Sequence, residues 1–245
     1  MINWTFKELD GAESTQRAAN ELAEKGAPEG TTVVARFQTA GEGRLGRVWA
    51  SPPGGLYMSF ILRPDKIAQP ESIPLVSALA VVQGVSASTG LKPRIRWPND
   101  IMMGFRKLGG VVADAQSYHD RITQVVVGIG VNCNATISGL EPGSGEATSL
   151  LEELDHPVEI SEVKNSTLGA FAALYERLRV DEDLTPLWTE NVGTLGKSVT
   201  LKLRADKEPF PCQVADITSD GGLIVMRDHA GTVVYAEDVE WLRES

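Results

Sequence analysis

The sequence predicts an α+β fold: a sheet of mixed or antiparallel pairing with helices packed on it, followed by a small β-rich unit. Three observations carry that reading. Helical patterns and β-branched runs interleave through most of the chain, which calls for sheet and helices in one domain. Several adjacent strand runs are joined by turns too tight to hold a crossover helix, so those neighbours run antiparallel. Beyond Trp188 the texture changes to short β-patterned runs at 198–204, 210–217, 222–227 and 232–235, with turns such as Asp220-Gly221-Gly222 and His229-Ala230-Gly231 between them; this is the spacing of a small barrel. At 245 residues the chain exceeds one ordinary domain and falls short of two full ones. A boundary near 192 is therefore expected, giving units of 1–191 and 192–245.

Taken in order, Ser14 caps a helix through about Lys25, with Ala18, Ala19, Leu22 and Ala23 on one side and Gly26 and Pro28 beyond its end. Residues 31–37 are β-branched and read as a strand, and 56–63 as a buried strand. Residues 74–88 form a long helix that packs through Leu75, Leu79 and Val82. Strand signals at 93–97 and 108–116 bracket a turn, and 122–132 is a continuous apolar strand. Helices fit 146–154 and 161–179, the second facing inward through Leu168, Phe171, Ala172 and Tyr175. No internal repeat or low-complexity tract competes with this layout.

The chain carries 33 acidic against 23 basic residues, a net charge of -10. Nucleic-acid binding needs a basic face to neutralise phosphates, so no nucleic-acid partner is expected. Cys133 and Cys212 have neither metal-ligand nor disulfide-framework spacing and read as small apolar residues in strands. His119, His156 and His229 lie in polar, loop-like contexts with no serine elbow, and read as surface residues. The start of the chain lacks a signal-peptide pattern, and no run approaches the roughly 18 apolar residues of a membrane span. A cytoplasmic protein with no membrane contact is expected, and the glycosylation-like triplets at Asn134 and Asn165 are read as chance.

Against that acidic background one segment is cationic and glycine-rich, running from Gly41 through Glu42, Gly43, Arg44, Leu45, Gly46, Arg47 and Val48 to Trp49, then Ser51-Pro52-Pro53-Gly54-Gly55. Glycine lets main-chain N–H groups approach a ligand, and arginine supplies a planar fork that matches phosphate or carboxylate oxygens. Together they describe an anion cradle. Gly41, Gly43 and Gly46 also spell G-x-G-x-x-G. A dinucleotide fold requires a helix to follow at once, and Pro52, Pro53, Gly54 and Gly55 exclude one. Gly196-Lys197-Ser198 imitates the end of a P-loop, but Asn191 stands where its first glycine is needed.

A second element is Arg96-Trp97-Pro98-Asn99-Asp100. Its proline extends the chain and its Asn and Asp suit a turn; taken alone, a β-turn with a packed tryptophan explains it. Lys107-Leu108-Gly109-Gly110 leads into an apolar strand, where a lysine is usually a solvated edge charge, although the glycines permit close ligand approach. A third element, Gly128-Ile129-Gly130-Val131-Asn132, ends an apolar strand in a polar side chain able to read a purine edge.

This ordered set resembles the biotin protein ligases, also called biotin–[carboxylase] ligases. The matching residues are Ser14-Thr15, Gln38, the loop Gly41 to Trp49 with Ser51 and Pro52, Trp97-Pro98-Asn99-Asp100, Lys107 to Gly110, and Gly128 to Asn132. They cover about residues 10–134, and the remainder matches by layout. The resemblance implies a catalytic domain like that of class II aminoacyl-tRNA synthetases, followed by an SH3-like barrel. It implies that biotin and MgATP give biotinyl-5′-AMP, and that biotin then passes to a lysine of a biotin carboxyl carrier protein or domain. Arg44 and Lys107 would be catalytic. Ser14, Thr15, Gln16, Gln38, Glu42, Gly43, Arg44, Lys107 and Gly110 would hold biotin, and Arg44, Arg47, Trp49, Asn99, Asp100, Lys107 and Asn132 would hold ATP. No protein metal site is implied beyond Asp100, which would orient a cation or Mg²⁺.

The sequence departs from the family pattern at Glu42, where an arginine is usual, at Gln16, where an asparagine is usual, and at Arg96, where a lysine is usual. Glu42 lowers the local positive charge, which bears on adenylate retention. Some relatives carry an N-terminal DNA-binding domain and repress transcription; the short stretch before Ser14 makes that activity unexpected here. A homodimer formed through a sheet edge is compatible with the family. Two other readings stand beside this one, a lipoate or octanoate protein ligase on related architecture and a non-catalytic biotin or nucleotide sensor. The second would need neither Arg44 nor Lys107.

Overall fold

The computed structural model describes residues 2–64, 67, 69–119, 121–137, 147–227 and 230–244. The strands of the larger sheet are β1 (Thr5–Leu9), β2 (Thr31–Ala35), β3 (Leu56–Leu62), β4 (Arg94–Arg96), β5 (Asp100–Met103), β6 (Arg106–Tyr118) and β7 (Arg121–Val131). Five helices accompany them: α1 (Thr15–Glu24), α2 (Ile73–Thr89), α3 (Leu150–Leu154), α4 (Ile160–Arg179) and α5 (Thr185–Asn191). The seven strands lie in the order β1-β2-β3-β7-β6-β5-β4. Only β1 and β2 pair in parallel, so the sheet is mixed and predominantly antiparallel. A second sheet of five antiparallel strands follows, made of β8 (Ser198–Leu203), β9 (Phe210–Ile217), β10 (Leu223–Arg227), β11 (Ala230–Val234) and β12 (Val239–Glu244). Its outermost strands, β11 and β12, have no pairing with each other among the described residues, and the sheet is consistent with the small SH3-like unit expected at the C-terminus.

Strand alternation decides what lies on each face of the larger sheet. Leu56, Met58, Phe60 and Leu62 of β3, with Val125, Val127, Ile129 and Val131 of β7, pack into the main core beneath α2 and α4. On the other face Ile61 and Val126 pack with Val33 against Ala19 and Ala23 of α1. Trp4, Phe60, Phe171 and Tyr175 form a chain of ring contacts across the main core, with Phe60 and Phe171 at 4.8 Å between centroids. The buried cluster runs on without a break into Val199, Leu201, Val214 and Val225 of the smaller sheet.

Helix α2 is apolar almost all the way round because it is enclosed between the sheet and α4. Counted from Pro70 to Thr89 it is long and apolar enough to cross a bilayer by length and composition, contrary to the sequence reading, yet most of that stretch is buried within this fold. Its approach to α4 depends on Gly84, where an added Cβ would meet the backbone N and Cα of Thr167 at 2.6 Å. Gly84→Ala is expected to separate the helices and cost about 1–3 kcal/mol. Chemical denaturation of the variant checks this.

The sequence reading missed β1, β5, α5 and β12, placing a turn where β5 runs. Strand β1 is an edge strand with little buried surface, so it shows no apolar alternation. Helix α5 is too short for a periodic signal. In β12 charged residues interrupt the pattern, and only Val239 is buried. The helix expected at 146–154 spans Leu150–Leu154, and its first position, Glu146, lies outside the described residues. His119 and His156 are exposed, while His229 lies outside the described residues.

Candidate active site

The α1 face of the sheet changes character along its length. Strand β7 puts Val126 under α1, but the next residues on that face are Gly128 and Gly130, paired with Ser59 and Tyr57 of β3 and with Val112 and Gly110 of β6. Where the side chains run out, a cavity of about 520 Å³ opens beyond the N-terminus of α1, floored by Gly110, Val112, Gly128 and Gly130. Side chains from elsewhere in the chain lie over the two β7 glycines. A Cβ on Gly128 would come within 2.5 Å of Gln16 Oε1, and one on Gly130 within 2.5 Å of Trp49 Nε1. Both of those polar atoms are buried without a hydrogen-bond partner. Such atoms are uncommon in a finished interior, and in a cavity wall they mark places for a ligand's donor and acceptor.

Ser14 caps α1, its hydroxyl accepting from Arg17 N at 3.3 Å. Gln38 ties this helix start to the glycine loop: its Oε1 accepts from Thr15 N at 2.7 Å and Thr15 Oγ1 at 3.1 Å, and its Nε2 donates to Ser51 Oγ at 2.7 Å. The loop is a tight hairpin, closed by Gly43 N donating to Arg47 O at 2.7 Å and Trp49 N to Gly41 O at 2.8 Å. Leu45 and Gly46 take positive φ at its tip, where glycine is the residue that bears no strain. Gly41 has no room for a side chain, since a Cβ would meet Ser51 Oγ at 2.6 Å.

A charged network faces the loop. Asp100 receives Lys107 Nζ on Oδ1 at 2.7 Å and Arg96 on Oδ2 at 2.6 Å and 3.2 Å. Burial pushes the Asp100 carboxyl up, but the charges and hydrogen bonds of Lys107 and Arg96 outweigh it and hold the group below its ordinary value. Lys107 Nζ also stands 5.2 Å from the Trp49 ring centroid, a cation–π contact across the cavity. Asn99 donates to Val111 O at 2.7 Å and accepts from Arg44 at 3.4 Å. The Trp97–Pro98 peptide is cis, and the Trp97 indole donates to Gly221 O at 3.0 Å, so this turn also touches the C-terminal region.

The loop arginines reach the same region. Arg44 donates to the carbonyls of Ala236 and Val239, and Arg47 donates to Glu240 O at 2.9 Å. Burial pushes the Arg44 guanidinium below its ordinary value, with Asp100 opposing, but an arginine stays charged under such a shift. Glu42, the acid where the pattern has arginine, pairs with Arg17 of α1 at 2.5 Å.

Of the residues singled out from sequence, Ser14, Thr15, Gln16, Gln38, Glu42, Gly43, Arg44, Arg47, Trp49, Asn99, Asp100, Lys107 and Gly110 all line this one cavity. Asn132 stands apart, buried behind it, with its amide donating to Thr148 O at 2.9 Å. Sequence reasoning passed over Ser59 and the β12 wall, Val239 to Arg243. Ser59 bonds Thr15 Oγ1 at 2.9 Å, but a serine inside an apolar strand carries no distinguishing signal. The β12 residues come from far along the chain, and nothing local announces where that strand docks.

The cavity thus joins a glycine floor, clustered cations and a basic hairpin on one face of an α+β sheet. This chain belongs to the Biotin/lipoate A/B protein ligase family, whose model matches residues 10–132. The biotin–[acetyl-CoA-carboxylase] ligase of Paracoccus denitrificans is 30% identical over 234 residues, covering 92% of this chain and 95% of that protein. The bifunctional ligase/repressor BirA of Bacillus subtilis is 35% identical over 237 residues, covering 94% of this chain and 72% of the relative. Among solved structures, the biotin protein ligase from Aquifex aeolicus in complex with biotin and ATP superposes with a TM-score of 0.84 at 26% identity, covering 98% of this chain and 99% of that one.

Proposed function

We propose that this protein is an ATP-dependent biotin protein ligase that activates biotin as biotinyl-5′-AMP and transfers it to a lysine of a biotin carboxyl carrier protein or domain. The observation that carries this reading is the meeting of Arg44, Lys107, Arg96 and Asp100 over a cavity that also presents an unpartnered acceptor at Gln16 and an unpartnered donor at Trp49. In the first step a biotin carboxylate oxygen attacks the α-phosphorus of ATP and pyrophosphate leaves. Two anions must approach, so preorganised cations that meet the charge developing on the phosphate lower the barrier. Lys107 and Arg44 fill that role, with Asp100 holding the Lys107 ammonium in place. In the second step the carrier lysine's amine attacks the acyl carbonyl and AMP departs. No protein nucleophile is needed in either step.

Ser14, Thr15, Gln16 and Gln38, with main chain at Glu42, Gly43 and Gly110, form the biotin end. Arg47, Trp49 and Asn99 form the nucleotide end. Asn132 would support that end from behind. Residues 1–191 constitute the catalytic unit in this reading, and 192–245 a small β unit whose strand β12 completes the wall. The carboxylates lining the cavity do not build a cage for Mg²⁺: Asp100 is taken by Lys107 and Arg96, Glu42 by Arg17 and Glu240 by Lys202, and no cluster of three or more metal-ligating side chains occurs among the described residues. The ion would arrive on the triphosphate.

The family also includes lipoate ligases, but a lipoyl ring system offers no N–H to the lone Gln16 acceptor, whereas a cyclic urea does. Labelled biotin and labelled lipoate, each with MgATP and a carrier domain, test the reading. Transfer of biotin in large excess over lipoate is expected, and equal transfer of both, or of neither, contradicts it.

A further inference from the structure

The amide of Gln16 is buried, and its two ends lie in different surroundings. Nε2 donates to Asp114 Oδ2 at 2.7 Å and to Val126 O at 2.9 Å. Both partners are pure acceptors, so the amide has one permissible orientation: exchanging its N and O would set an oxygen against a carboxylate and a carbonyl. Oε1 is thereby turned away from them to lie over Gly128 on the cavity floor, where it has no partner. Asp114 sits on the same face of β6 as Gly110 and Val112, opposite Val126, and it also accepts from Asn20 of α1 at 2.9 Å. It is exposed and does not line the cavity.

We infer that Asp114 is a specificity-determining positioning residue: by fixing the Gln16 amide with its oxygen over the floor, it makes the cavity demand an N–H donor from the ring system that enters. The inference rests on the biotin reading above, since the ureido group is the part of biotin that supplies such a donor. A carboxylate outside the cavity thus sets the hydrogen-bonding polarity of a wall inside it. An unmet buried acceptor penalises a ligand that cannot donate, and this is the larger part of the discrimination.

The test is biotin binding to the full chain by titration calorimetry, with biotin KM and kcat measured in parallel. Asp114→Leu removes the acceptor from an exposed position and is expected to weaken biotin binding about tenfold and to raise KM for biotin more than it lowers kcat. Asp114→Asn keeps an oxygen that can face both donors and is expected to stay within about threefold of the parent. In a Gln16→Ala background, Asp114→Leu is expected to add nothing, because its action passes through Gln16. Unchanged affinity in Asp114→Leu, or an equal loss with and without Gln16, overturns the inference while the biotin reading stands. A folded parent protein that binds no biotin overturns both.

Discussion

Lys107→Ala is expected to reduce biotin-dependent adenylate formation by on the order of a hundredfold or more, the usual loss when one preorganised donor to a transition-state charge is removed. Lys107 stands at the crossing of two restraints, its salt bridge to Asp100 at 2.7 Å and its position over the Trp49 ring. Arg96 cannot take its place, since it is held on the other oxygen of the same carboxylate. Biotin-dependent exchange of labelled pyrophosphate into ATP measures the step directly. Exchange at the parent rate would remove Lys107 from the chemistry. The fold should survive the change, because the lysine is half-buried at a cavity wall and the strand that carries it is paired along both edges.

Asp100→Ala is expected to be damaging in a different way. It leaves two cations side by side with no anion between them, and Arg44 faces the same point. Removing one member of a buried ion pair costs more than the pair contributes, because the surviving charge loses its compensation. Water entering from the cavity reduces that penalty here, so about 1–3 kcal/mol of stability is expected to be lost. Adenylate formation should fall as well, since Lys107 loses its anchor. The pH dependence follows from the lowered carboxyl. Its contribution to stability is complete above the ordinary value of 3.8 and is lost as pH falls through the lower folded-state value. Parent and Asp100→Asn should therefore differ in denaturation midpoint near neutrality and converge only in strong acid. A difference that vanished already at pH 5 would show that the network is not as described.

Much of this site was legible because its chemistry is local. The glycines and arginines between Gly41 and Trp49 have no other economical use in an acidic chain, and the Trp97 to Asp100 turn and Lys107 lie close together in sequence. The helix cap at Ser14 and the apolar face of α4 follow from spacing alone. What escaped was set by distant pairing. Gly128 and Gly130 could be read as a strand, but not as a cavity floor, until Ser59 and Tyr57 were seen opposite them. Asp114 looks like an ordinary acid on an exposed strand, and its hold on Gln16 spans the sheet. The docking of Arg44 and Arg47 on backbone carbonyls of the C-terminal region leaves no trace in side-chain identity at all. Asn132, a polar residue at the end of an apolar strand, is placed behind the cavity with its amide donating to Thr148 O, a position that spacing in the sequence does not show.

The central claim is that Lys107 and Arg44 meet at the phosphorus where an acid is activated. A crystal structure with a non-hydrolysable analogue of the acyl-adenylate tests it most directly. Both side chains are expected within hydrogen-bond distance of the phosphate or its bridging oxygen, with Asp100 still bound to Lys107. A phosphate seated elsewhere, with Lys107 and Arg44 remaining only on Asp100 and the Ala236 and Val239 carbonyls, would contradict it.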